Sequence, residues 1–156
     1  MRLIIATIGR WKTGNKLAPE QILYERYASR IHTSIELREV EEKKQYKTRI
    51  LKKREGELLL AQVPDGAVIV ALDEEGKALN SKNFAQKLAN WRIDGQKCII
   101  FMIGGPDGLD KMIKERANLV LSFGNLTWPH LLVRGMLAEQ IYRSECILMG
   151  HPYHRG

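Results

Sequence analysis

Cysteine is nearly absent from this chain, with two in 156 residues. Cys98 and Cys146 each sit in an apolar run, beside Ile99-Ile100 and Ile147-Leu148. They read as buried free thiols of a reducing compartment rather than a disulfide or a metal pair. The four histidines show no HxxxH or Cys/His ligand spacing, so no metal is expected. No stretch approaches the ~20 consecutive apolar residues of a membrane span. The opening Met1-Arg2-Leu3-Ile4-Ile5-Ala6 turns polar too soon for a signal peptide. A cytoplasmic protein with no membrane partner is expected. Internal repeats, low-complexity tracts and linkers are missing as well, so residues 1–156 read as a single domain with room for a real core.

Acidic residues are missing from one stretch in particular. Between residues 43 and 54 stand Lys43, Lys44, Lys47, Arg49, Lys52, Lys53 and Arg54, with no Asp or Glu among them. The chain's net charge is +7, and this run carries much of it. Such a run is either a solvated helix face or a contact for a phosphate backbone, the latter strongly salt-dependent.

What is present is an alternation of apolar strands and amphipathic helices. Residues 2–9 are nearly continuous in Leu and Ile, which suits a strand covered on both faces. Helix spacing follows over 20–31 and a half-exposed strand, expected at a sheet edge, over 34–40. A basic helix is expected over 48–62, closed by Pro64-Asp65-Gly66, and a fully apolar strand over 67–72. A helix over 81–92 has Asn80 or Ser81 as its cap. Then come a strand over 97–103, a short helix over 109–117, a strand over 118–123 and a helical pattern over 131–142. Residues 146–149 suggest a short last strand. The pattern specifies an α/β fold, a mostly parallel sheet with helices on both faces.

Three strands end in candidate binding loops: Leu72-Asp73, Gly104-Gly105-Pro106-Asp107-Gly108, and Gly124-Asn125-Leu126-Thr127-Trp128-Pro129. If the three strands are parallel neighbours, the loops share one sheet edge, where ligands of open α/β sheets bind. Phosphate-binding patterns do not fit. The Gly9 to Gly14 gap has the spacing of a P-loop, but Asn15-Lys16-Leu17 follows where Lys and Ser or Thr are needed, leaving a basic loop over 9–16. The Gly104 to Gly108 loop lacks GxGxxG spacing, Pro106 removes a backbone N–H, and Ser122-Phe123 replaces the acid that a ribose needs. NAD is therefore disfavoured, and a glycine loop with free backbone groups suits an adenine and ribose without a phosphate. The tail gathers His151, Tyr153, His154 and Arg155 around Pro152, a set able to position a base or a phosphate.

The Gly104 to Gly108 loop, the Leu126-Thr127-Trp128-Pro129-His130 segment with Val133-Arg134, and the terminal His151-Pro152-Tyr153-His154-Arg155 together resemble the RlmH group of SPOUT methyltransferases. The resemblance covers essentially the whole chain. It implies a C-terminal deep trefoil knot, S-adenosyl-L-methionine held in that knot, and a homodimer. It further implies methylation of N3 of a pseudouridine in helix 69 of 23S rRNA on the assembled 70S ribosome. Carried over by position, the cofactor contacts are Leu72, Gly105, Gly124, Asn125, Leu126, Thr127, Trp128 and Pro129, with Gly104 allowing close backbone approach. The imide proton has to leave N3 before it can attack a methyl group. His130, His151 and His154 are the candidate bases, Arg134 and Arg155 the candidate anion or phosphate contacts, and Tyr153 a residue to orient or stack on the base. The basic helix then becomes a candidate ribosome-facing surface. Rival readings are a non-enzymatic RNA-binding module, which has no use for the two glycine loops, and a flavodoxin-like redox domain.

Overall fold

The computed structural model describes residues 1–12 and 14–156; Thr13, within the basic loop expected over 9–16, lies outside them. The elements in chain order are β1 (Arg2–Ile8), α1 (Pro19–Ala28), β2 (Ile35–Val40), α2 (Thr48–Leu60), β3 (Val68–Ala78), α3 (Ser81–Ile93), β4 (Cys98–Ile103), α4 (Lys111–Arg116), β5 (Leu119–Ser122) and α5 (His130–Met149). The strands form one sheet in the order β2-β1-β4-β3-β5, and every pair between them is parallel. β2 is an edge strand, as its half-polar pattern requires. The three strands with candidate loops, β4, β3 and β5, are adjacent.

The two faces of the sheet account for the helices. On one face Leu3, Ile5, Val70, Ile99, Phe101 and Leu121 meet Tyr24 of α1, Phe84 and Leu88 of α3, and Leu137, Ala138 and Ile141 of α5. On the other, Ile4, Ala6, Ile8, Ala71, Ile100 and Met102 meet Leu59 of α2 and Ile113 of α4. All six residues of β4 are buried, which is why no polar residue interrupts that strand. Asn80 caps α3, its side-chain oxygen accepting from the Asn83 N–H at 2.8 Å. Cys98 and Cys146 are buried and free.

Two expectations are corrected. Residues 146–149 are not a strand; they are the last turn of α5, which ends at Gly150 in the left-handed region, φ 71°. A short apolar run does not by itself distinguish strand from buried helix, and here Cys146 continues the buried face that begins at Arg134, Leu137 and Ile141. β3 does not end near Asp73. It pairs with β5 through Leu72 and Leu121, bulges out over residues 73–76, and re-pairs through Lys77 with Leu121 and Ala78 with Ser122. Gly76 makes the return possible, because a Cβ there would lie 2.6 Å from the Val120 carbonyl oxygen.

Candidate active site

The ends of β3, β4 and β5 and the start of α5 enclose a cavity of about 340 Å³, within the range of small-molecule sites. Its walls come from three loops. Leu72 and the bulge Asp73, Glu74 and Glu75 form one, Gly104 to Leu109 the second, and Phe123, Gly124, Leu126, Thr127 and Trp128 the third. His130 and Val133 close it from the first turn of α5.

Each loop has a local reason for its shape. The residues 104–108 turn is closed by the Gly108 N–H donating to the Gly105 carbonyl at 3.0 Å. A Cβ on Gly104 would stand 2.6 Å from the Gly108 carbonyl carbon, and one on Gly105 would stand 3.3 Å from a Glu55 carboxylate oxygen. Burial, and then Asp107, raise the Glu55 pKa above the usual carboxylate value. The loop after β5 is tied to the bulge of β3. The Ser122 hydroxyl is within hydrogen-bonding distance of both the Glu74 and the Gly124 carbonyls, at 3.0 and 2.9 Å. Thr127 Oγ1 donates to the Glu74 carboxylate at 2.8 Å, and the Trp128 indole N–H donates to the Phe123 carbonyl at 3.3 Å.

Of the expected cofactor contacts, Leu72, Gly104, Gly105, Gly124, Leu126, Thr127 and Trp128 line the cavity. Asn125 and Pro129 do not; both are exposed, and Pro129 is the N-cap of α5. The sequence reading passed over Lys52, Glu74, Glu75 and Lys114, which also line it. Lys114 Nζ lies 3.5 Å from Asp73 and 3.7 Å from Glu75. The signal for the acidic wall was present, since three consecutive acids directly after a buried strand are out of place in a strand continuation.

The six candidate catalytic residues are not brought together within the chain. His130 lines the cavity, and its pKa is lowered by burial first, then by the charges of Arg134 and Lys12. The shift favours the uncharged imidazole. Arg134 is fully buried behind it and does not reach the cavity. One of its terminal nitrogens donates to Glu39 at 2.8 Å, the other to the carbonyls of Ile8 and Gly9 at 3.2 and 2.8 Å. Its guanidinium also lies 4.4 Å from the ring centroid of Trp11.

The tail folds back on the later turns of α5. The Tyr153 hydroxyl donates to Glu139 at 2.9 Å, the Tyr153 ring packs on Tyr142 with centroids 4.8 Å apart, and Arg143 donates to His154 Nδ1 at 3.2 Å. His151 and Arg155 are exposed. Glu139 lies nine residues along α5 from His130, about 13 Å at the helical rise. No tail residue lines the cavity.

On the other side of Leu121, Phe123 and Gly124, which it shares with the cavity, lies an apolar groove of about 630 Å³ between α1, α3 and α5. Leu23, Tyr27, Phe84 and Met136 line it.

Comparison with known proteins bears on this site. A family model described as "Predicted SPOUT methyltransferase" matches residues 1–154. The chain is 51% identical over 155 residues to a ribosomal RNA large subunit methyltransferase H from Paramagnetospirillum magneticum, covering 99% of each chain. It is also 51% identical over 156 residues to the protein of that name from Rhodospirillum centenum, covering all of both. In fold it is similar to a probable methylase family protein from Haemophilus influenzae, with a TM-score of 0.60 at 10% identity over 99% of this chain and 70% of that one.

Proposed function

Because the chain belongs to the SPOUT methyltransferase family, we propose that it methylates N3 of a pseudouridine in helix 69 of 23S rRNA on the assembled ribosome, using S-adenosyl-L-methionine. The observation that carries the reading is the convergence of three strand-end loops and His130 on one cavity. The cavity fits the cofactor. Gly104 and Gly105 present backbone without side chains to the cavity, apolar walls from Leu72, Leu126 and Trp128 suit an adenine, and Asp73, Glu74 and Glu75 suit hydroxyl and ammonium groups. When bound, the cofactor supplies an electrophilic methyl group on a sulfonium.

The chain's own residues then have two tasks. The first is alignment in a site that excludes water, since in-line displacement depends on near-attack geometry. The Thr127–Glu74 and Ser122–Glu74 hydrogen bonds hold two of the loops in fixed relation. The second is removal of the imide proton, which ionises only well above neutrality. His130 is the base in this reading: it lines the cavity, and its surroundings favour the uncharged ring with a free lone pair. A lowered pKa reduces its driving force as an acceptor. The positive charges of Lys12 and Arg134 offset this by stabilising the anion that forms on the substrate.

The same reading makes residues 1–156 one cytoplasmic domain, folds the C-terminal part of the chain into a deep trefoil knot, and pairs two copies along the groove of Leu23, Tyr27 and Met136. The groove's shared wall with the cavity supports this pairing, because it brings a partner's tail, with His151, Tyr153, His154 and Arg155, toward a cavity its own protomer's tail does not reach. Transfer of labelled methyl groups from S-adenosyl-L-methionine tests the reading. The expected result is incorporation into the large-subunit RNA of 70S ribosomes, lost in His130→Gln with cofactor affinity retained. Tight cofactor binding with no transfer to any ribosomal RNA would contradict the substrate.

A further inference from the structure

We propose that Arg134 is a positioning residue for His130, fixing the segment after β1 as a wall behind the imidazole and holding a permanent positive charge one helical turn beneath it. This deepens the reading of His130 as the base and rests on it only for its kinetic consequence.

The geometry is that of a latch between three elements. Arg134 projects from α5 to the carbonyls of Ile8 and Gly9 at the end of β1, and to Glu39 near the end of β2. Glu39 Oε2 accepts a second hydrogen bond, from the Trp11 N–H at 2.8 Å. Trp11 covers the guanidinium and itself leans on Tyr24 of α1, with centroids 6.0 Å apart. Residues 8–11 are therefore held at the Ile8 and Gly9 carbonyls, the Trp11 N–H and the Trp11 indole by one ion pair. His130 lies beside the same segment: a Cβ on Gly9 would lie 3.9 Å from His130 Nε2 and 4.0 Å from Arg134. Arg134 is fully buried and does not line the cavity, and its terminal nitrogens bond to Glu39 and to the Ile8 and Gly9 carbonyls, which removes it from the anion contacts and leaves it a role through its neighbours.

The charged groups around the imidazole come from every side. Arg134 lies beneath it, Lys12 beyond Trp11, and Glu39 behind Arg134. Across the cavity stand Lys52 of α2, Asp73, Glu74 and Glu75 of the β3 bulge, Asp107, and Lys114 of α4. Arg134 and Lys12 disfavour the imidazolium, while Glu39 moderates Arg134.

Two substitutions break the same ion pair with opposite electrostatic sign. Arg134→Gln removes the positive charge, so His130 becomes easier to protonate and its titration moves to higher pH. Glu39→Gln removes the negative charge behind Arg134, so the titration moves to lower pH. Structural damage alone would move both the same way or neither. The measurement is an NMR pH titration of the histidine rings in the intact protein. His32, which is bonded to Glu145 at 3.3 Å, serves as the internal reference. Opposite displacements of His130, each about half a pH unit or more, with His32 unmoved, are the expected result. Displacements of the same sign, or none in folded protein, would overturn the proposal. If Arg134→Gln does not fold, Glu39→Gln alone decides by the direction of its shift. The acid limb of the pH–rate profile should follow His130 in each variant. If the ring titrations move as expected and the limb does not, the assignment of His130 as base fails while the positioning by Arg134 stands.

Discussion

Gly104 and Gly76 are the residues at which a single carbon decides whether the chain can pass. In both, an added Cβ would lie 2.6 Å from backbone of the opposite segment, which cannot rotate away as a side-chain tip can. Gly104→Ala should destabilise by about 1–3 kcal/mol, in the range of overpacking, and weaken cofactor binding at least tenfold, read by thermal melting and calorimetry. Unchanged cofactor affinity in Gly104→Ala would remove the loop from the cofactor site. Gly104 was legible in the sequence because it belongs to a clustered motif at a strand end. Gly76 was not: a lone glycine among Asp, Glu and Lys carries no periodic signal, and its necessity arises from β5, which pairs across it from more than forty residues away. Arg134 is the converse case. Its place beside the motif was visible, but its burial was not, because the partners that make a buried guanidinium tolerable, Glu39 and two carbonyls of β1, are brought to it only by the fold.

At the scale of elements, strands were the easier part. Their apolar runs are short and bounded, and all five were placed, with β2 at an edge as its alternation demands, although β3 runs on past its apolar part to Ala78 and the run at 146–149 belongs to α5. The long α5 was cut short because Arg143, Ser144 and Glu145 interrupt the apolar spacing. The structure gives those residues partners instead: Arg143 pairs with Glu139, Ser144 donates to the Gln140 carbonyl, and Glu145 accepts from the backbone of His32 and Thr33 at 2.8 and 2.9 Å. Burial raises the Glu145 pKa, but the hydrogen bonds from His32 and Thr33 outweigh it, so the net shift is downward. The sign is then fixed: Glu145 stabilises the fold above its unfolded value of 4.5, and that contribution disappears as pH falls through the lower folded value. Glu145→Ala should cost about 2 kcal/mol at neutral pH, and the difference from the parent should shrink as melts are taken to acid pH. A constant difference would mean that the carboxylate charge contributes nothing. The tail is a second test at this scale. Deleting residues 151–156 removes Tyr153 and His154 from Glu139 and Arg143 but leaves the cavity intact. Turnover should fall sharply with cofactor affinity kept, and unchanged turnover would make the tail a packing element of α5 alone.

For the whole molecule, the distribution of charge and the position of the cavity agree. Lys52 stands both in the basic run of α2 and in the cavity wall, so the run is continuous with the site rather than on a remote face. Sequence reasoning found the run but had no means of locating it, since the relation between α2 and the loops exists only after β1 has brought its end beside β4. Reversing the charge of Lys53 and Arg54, which stand in the run but not in the cavity wall, should weaken ribosome binding at least tenfold, with a shallower salt dependence. Cofactor affinity should change little by comparison. Equal loss of both would point to misfolding rather than a lost RNA contact.

The most direct test of the account is to map the methylated nucleotide by mass spectrometry after reaction of 70S ribosomes with labelled S-adenosyl-L-methionine, using ribosomes that lack the helix 69 pseudouridine as the control. The account predicts a single methyl group on N3 of that pseudouridine and none in the control. A methyl group at any other position, or equal labelling of the control ribosomes, would contradict it.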